Sequence, residues 1–121
     1  MPIVDVEIVT DPGEQFGECL AQQIADAIGD VFESPSQSTW VRLRSLAVSR
    51  YAENGGVERG VRPVFVTILK YRRPDEDQID CEVASIAPRV AELCGRPAEN
   101  VHILYDSDAA GRIAFGGILR R

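Results

Sequence analysis

The chain is written twice. Pro2-Ile3-Val4 opens one half and Pro63-Val64-Phe65 opens the other, while Gly55-Gly56 and Gly116-Gly117 close them, both at an offset of 61 residues (63 − 2 and 116 − 55). A repeat of this kind is one supersecondary unit that cannot cover its own apolar face and must pack against its copy. The 121 residues, 45% of them hydrophobic, are the size of one compact domain. They predict a single domain over 1–121, with repeat one at about 2–56 and repeat two at about 63–117.

Each half reads as strand, helix, strand. Ile3 to Val9 and Val64 to Leu69 are rich in β-branched residues, and turn chemistry follows each. Asp11-Pro12-Gly13-Glu14 predicts an N-cap and capping glutamate for a first helix with Phe16, Leu20, Ile24, Ala27 and Val31 as its apolar stripe. Pro74-Asp75-Glu76-Asp77 opens a second stripe of Ile79, Val83, Ile86, Val90 and Leu93, closed by Gly95. Pro88 removes one hydrogen bond within it and predicts a kink. Second strands follow at Trp40 to Leu46 and Val101 to Tyr105. Two right-handed βαβ crossovers side by side give an α+β fold: a four-stranded mixed sheet with both helices on one face. The third strand, Val64-Phe65-Val66-Thr67-Ile68-Leu69, is apolar on both faces. Two helices cover only one face, so the sequence predicts an oligomer that covers the other.

A net charge of −6 repels phosphate backbones and argues against a nucleic-acid partner. No apolar run is long enough to span a bilayer, and Met-Pro-Ile-Val-Asp-Val-Glu puts acid where a signal peptide carries base, so a cytoplasmic, unanchored protein is expected. Cys19, Cys81 and Cys94 show no C-x-x-C spacing and are read as reduced helix residues. With one histidine, His102, a His-rich metal centre or a Ser-His-Asp triad has little support, and chemistry without metal or cofactor is expected.

A proline following the initiator Met, at the head of an apolar strand, joined to a repeated βαβ unit that ends in paired glycines, resembles the tautomerase superfamily. The first half, P-I-V-D-V-E-I-V through S-T-W-V-R-L to Gly55-Gly56, is similar to the short 4-oxalocrotonate tautomerase subunit. So is the second, whose V-H-I-L-Y-D-S-D-A-A-G-R-I-A-F-G-G matches that family's closing strand, turn and glycine-rich hairpin. The fused length resembles the branch that includes macrophage migration inhibitory factor. The resemblance implies a homotrimer with sites between subunits and a small carboxylate-bearing substrate.

It also implies site residues. Keto-enol proton transfer needs a base that is neutral at working pH and returns its proton. Pro2, exposed by removal of Met1, supplies a secondary amine that an apolar, cation-lined cleft drives toward neutrality. Pro63 has no free amine and serves as the inert counterpart. Arg73 and Arg42 match carboxylate-binding positions, with Arg72 beside Arg73 and one of that pair turned outward. His102 matches a site residue lent by the neighbouring subunit, and Phe115 is the expected apolar wall, with Ile113, Trp40 and Tyr51 as further wall residues. The other readings are structural: a proline that merely opens a strand, surface arginines, a strand histidine and core aromatics. Ala114 and Ser36-Gln37-Ser38-Thr39 stand where the dehalogenase and decarboxylase branches carry acids, so isomerisation is expected before hydration or dehalogenation of an unsaturated acid. A non-catalytic trimeric binding module is the third reading.

Overall fold

The computed structural model describes residues 1–121. Its elements run β1 (Pro2–Thr10), α1 (Leu20–Val31), β2 (Trp40–Ala47), β3 (Val64–Lys70), α2 (Glu76–Cys94), β4 (Val101–Tyr105), β5 (Ile113–Phe115) and β6 (Ile118–Arg120). The first four pairing strands form one mixed sheet in the order β2-β1-β3-β4, while β5 and β6 form a separate hairpin. β1 pairs parallel to β2, β3 pairs parallel to β4, and the two units join antiparallel through β1 and β3, with Pro2 opposite Lys70 and Ile8 opposite Val64. This arrangement follows from the repeat: each half makes one crossover, and the two central strands meet head to tail.

One face of the sheet carries the core. Val4, Val6 and Ile8 of β1 and Val64, Val66 and Ile68 of β3 are buried against Leu20, Ile24 and Ile28 of α1 and Ile86, Val90 and Cys94 of α2. Their two-residue alternation on the strands meets the helical period on α1 and α2. α2 is set at both ends: Asp75 accepts from the backbone N–H of Gln78 at 2.8 Å, and Gly95 (φ 66°) takes the left-handed conformation that ends the helix. α2 continues through Pro88 as one element. Its buried face is Glu82, Ile86, Val90, Ala91 and Cys94; Ile79, Val83 and Leu93 of the expected stripe are only partly buried.

One expectation is corrected. α1 begins at Leu20 with Cys19 before it, and the Asp11–Glu14 segment caps no helix. Gly13 sits at φ 75°, which breaks any helical start there. The capping contact itself forms, with Asp11 N–H donating to Glu14 Oε1 at 3.1 Å, but the Glu14 carboxylate is also held by Arg96. Phe16 therefore lies outside the helix, packed on the core beneath the Arg96 guanidinium. The expected hairpin forms at Gly116-Gly117, which joins two paired strands, while Gly55-Gly56 lies in a loop. The open face is apolar on β3, as expected, and charged on β1 and β2. Asp5 and Glu7 stand opposite Arg42 and Arg44, while Phe65, Thr67 and Leu69 face outward from β3 and Leu104 of β4 is 63% exposed. Neither helix is long and apolar enough to cross a membrane.

Candidate active site

The amine end of β1 opens into a cleft of about 470 Å³ lined by Met1, Trp40, Tyr71, Phe115 and Arg120. Three separate elements build it. Trp40 heads β2 and stands opposite Ile3; Tyr71 follows directly on β3; the hairpin folds back to bring Phe115 of β5 and Arg120 of β6. Trp40 is fixed on two sides. Its indole N–H donates to the carbonyl of Gln37 at 2.9 Å, and its ring meets Phe115 edge to face at 5.4 Å between centroids. Gln37 itself sits at φ 68°, a left-handed conformation that costs a non-glycine residue about 1 kcal/mol or more. The terminal amine in this cleft has a pKa below its ordinary value, first because burial disfavours its charge and second because the Arg120 cation lies nearby. An amine whose charge is disfavoured, a cation and aromatic walls in one cleft suit proton transfer on an anionic substrate.

The structure distributes the sequence-derived candidates unevenly. Phe115 lines this cleft, and Pro2, the first residue of β1, follows directly on the lining residue Met1. Arg72 stacks over the Tyr71 ring at 5.5 Å and pairs with Asp108 at 3.6 Å, while Arg73 lies three residues past the end of β3, its backbone N–H donating to Asp108 Oδ1 at 2.6 Å. Asp108 is held below the usual carboxylate range first by that backbone donor and then by the Arg72 charge. Arg42 lies on the open face, its guanidinium forked onto Asp5 at 2.7 and 2.9 Å, with the ion pair holding its charge. His102 stands on the same face beside Phe65, at 5.6 Å between rings. Phe65 is paired with Glu7, five residues along β1 from Pro2, so His102 lies roughly 17 Å from the amine end within one chain.

Tyr71 and Arg120 are the additions that the structure makes. Trp40 was legible only as a candidate wall, and Arg120 was legible only as part of a basic chain end, because a hairpin that folds back on the N-terminus leaves no local pattern. A larger groove of about 1080 Å³ runs between α1 and the segment leading into β2, but Asp26, Asp30 and Glu33 line it and repel a carboxylate. No group of three His, Cys, Asp or Glu side chains is placed to hold a metal ion.

No family model matches the sequence, and no curated protein matches it. Solved structures do match in fold. A macrophage migration inhibitory factor from Oncomelania hupensis superposes with a TM-score of 0.77 at 18% identity, over 99% of this chain and 82% of that one. A fused 4-OT, a wild-type symmetric trimer, gives 0.77 at 14% identity over 98% and 94%. Pt0534, in a structure inactivated by 2-oxo-3-pentynoate, gives 0.76 at 18% identity over 96% and 94%. Matched end to end in topology and length, the chain has the tautomerase-superfamily fold.

Proposed function

We propose that this chain is a cofactor-independent tautomerase that moves a proton between oxygen and carbon of a small 2-hydroxy-enol or 2-oxo carboxylate, with Pro2, freed by removal of Met1, as general base. The observation that carries this reading is the amine end of β1 opening into a cleft with three aromatic walls and one cation. Burial and Arg120 lower the pKa of the Met1 amine, which supports a lowered pKa for a free Pro2 amine at the same end of β1. In the proposed step Pro2 takes the enol hydroxyl proton, the C–O bond becomes a carbonyl, and the adjacent carbon takes a proton back from the prolinium. Arg120 pairs with the carboxylate and with charge developing on the enolate oxygen, and Arg72 is a second cation at the rim. Trp40 and Phe115, in edge-to-face contact, give the cleft apolar walls that disfavour charge on the amine. No carboxylate lines the cleft to activate water, which favours isomerisation over hydration or dehalogenation.

The assembly proposed with this reading is a homotrimer. His102 lies on the open face, roughly 17 Å along the sheet from its own chain's amine end, and a neighbouring copy would bring that face to another chain's cleft; Arg42, two residues along β2 from Trp40, lies near its own chain's cleft with its guanidinium on Asp5. The outward Phe65, Leu69 and Leu104 favour such burial, and the fused 4-OT of similar fold is a trimer.

Mass spectrometry is expected to show Met1 removed, and Pro2→Ala is expected to lower ketonisation of phenylenolpyruvate or 2-hydroxymuconate by roughly 100-fold or more. A neutral amine adds to an electron-poor alkyne, so 2-oxo-3-pentynoate is expected to leave its adduct on Pro2. Full activity in Pro2→Ala, or an adduct on another residue alone, refutes the role of Pro2.

A further inference from the structure

The inward-facing series of three neighbouring elements each end in one polar residue at the same pole of the molecule. On β3 the run Val64, Val66, Ile68 ends in Lys70; on β4 Val101 and Ile103 are followed by Tyr105; on α2 Glu82 precedes Ile86 and Val90. The three meet. Glu82 is 4% exposed and accepts from Lys70 Nζ at 2.8 and 3.0 Å, from the Tyr105 hydroxyl at 2.5 Å and from the Gln78 amide at 3.1 Å. The Lys70 ammonium also lies 3.9 Å from the centre of the Phe32 ring. No buried side-chain nitrogen or oxygen in the chain lacks a partner, so this cluster is closed. The corresponding series on β1, Val4, Val6, Ile8, ends at the opposite pole in Thr10, a neutral residue whose hydroxyl reaches only the Leu46 carbonyl. The opposite pole is also the one at Pro63, which has no free amine. The ion pair at that pole, Arg96 with Glu14, ties loop segments together, whereas the Lys70–Glu82 pair lies within the core, where apolar residues would replace it at little or no loss of stability, so it calls for a reason other than stability.

Its connections supply one. Lys70 pairs in register with Pro2, and the next residue is the cleft wall Tyr71. Tyr105 is followed by the segment that returns over β3, where the backbone N–H groups of Asp106, Ala109 and Ala110 donate to the carbonyls of Ile68, Lys70 and Tyr71 at 2.9, 3.0 and 3.1 Å. That segment delivers Asp108 to Arg72 and Arg73. We infer that Glu82 is a positioning residue for the cleft: by clamping Lys70 and Tyr105 it fixes the two strand exits that set Tyr71, Arg72 and Asp108. The inference rests on the proton-transfer reading for its kinetic consequence but not for its geometric one.

The test replaces the cluster with apolar residues, Lys70→Met, Glu82→Leu and Tyr105→Phe together. The melting temperature is expected to stay within a few degrees, because the core gains volume-matched apolar groups. The kcat/KM is expected to fall roughly tenfold or more, chiefly through KM, because displacement of substrate-positioning groups by about 1 Å costs up to roughly 100-fold. Trp40 is the one tryptophan and lines the cleft, so iodide quenching of its fluorescence is expected to rise in the same variant. Tyr105→Phe, which removes a single oxygen, is the milder variant should the triple one not fold, with the same two readouts. Unchanged kcat/KM and unchanged quenching in a folded variant overturn the inference. If Pro2→Ala keeps full activity, or the unsubstituted protein shows no turnover, the proton-transfer reading fails separately and the quenching comparison alone decides whether Glu82 positions the cleft.

Discussion

Arg96 is the residue whose removal is expected to cost the fold most, and the structure allows the size to be worked out. Its side chain is 9% exposed and makes five polar contacts: to both oxygens of Glu14 at 2.9 Å, and to the carbonyls of Val9 at 2.9 Å, Arg62 at 3.0 Å and Cys94 at 3.2 Å. These tie the end of β1, the loop that carries Glu14 and Phe16, the entry to β3 and the end of α2 to one point. Arg96→Ala leaves a Glu14 side chain that is 25% exposed without its cation, and leaves three carbonyls to find water. Breaking a buried pair from one side costs about 3–5 kcal/mol, and the partial exposure of Glu14 places the expected loss near the lower end, about 3 kcal/mol. For a chain of this size that is a fall in Tm of roughly 10 °C, read by thermal melts and checked by urea titration with unchanged m. Arg96→Lys keeps charge but loses the fork, so an intermediate loss is expected. The acid limb gives an independent check. Glu14 has a folded-state pKa below its ordinary value, chiefly through the hydrogen bond from Arg96. A carboxylate of that kind contributes stability that is full above its unfolded pKa, near 4.5, and is lost as pH falls through the lower folded value. The difference in stability between wild type and Arg96→Ala is therefore expected to shrink as pH falls below about 4.5. A loss under about 1 kcal/mol at neutral pH, or a difference that is constant down to acid, refutes the argument.

Two further outcomes follow from the same structure. Arg120→Ala removes the cation that helps depress the terminal amine's pKa, so the amine is expected to titrate at higher pH. A base is active only when neutral, and the acid limb of the kcat/KM profile is expected to move upward in pH; a profile that stays in place or moves down counts against Arg120 as the cleft's cation. Leu104→Glu puts a charge on the most apolar part of the open face, and light scattering is expected to show a lower oligomer or the 13.3 kDa monomer; an unchanged mass counts against assembly through that face.

What the sequence made legible was whatever the repeat controls. Strand alternation in Ile3–Val9 and Val64–Leu69, the Asp75 cap and the Gly95 stop all rest on local chemistry, and the elements stand within a residue or so of where that chemistry puts them. The misreadings have one cause. Asp11-Pro12-Gly13-Glu14 contains every local sign of a helix start, but Gly13 takes a left-handed conformation and Glu14 goes to Arg96, 82 residues away along the chain. Glu82 reads as an ordinary polar helix residue until Lys70 and Tyr105 are placed beside it. Arg42 reads as a free anion-binding group until the β1–β2 register sets Asp5 opposite. Each of these pairings joins different elements, 12 to 82 residues apart, and local pattern does not reveal it.

The two prolines define what kind of asymmetry the molecule needs. Pro2 and Pro63 head equivalent strands, yet Pro63 is wholly buried and its carbonyl is tied to the Val9 N–H at 3.0 Å. A symmetric repeat would give both poles the same surroundings, and only one pole can offer a free amine. The fold answers by dividing its polar groups. At the Pro63 pole, Arg96 and Glu14 secure a loop, and their ion pair locks chain segments together. At the Pro2 pole the ionised cluster lies beneath the sheet and leaves the cleft above to aromatic rings and a single arginine. An amine is kept neutral by low polarity and by a nearby cation, and a carboxylate close to it would undo both effects. Glu82 is the nearest buried carboxylate in register terms, and Lys70 and Tyr105 occupy its oxygens on the helix side, so its charge is neutralised where it sits. The contacts proposed to fix the cleft's geometry also compensate the Glu82 charge, which is why the apolar triple replacement is a sharper probe than removal of Lys70 alone: the latter would leave a buried carboxylate without its cation, held only by Tyr105 and Gln78.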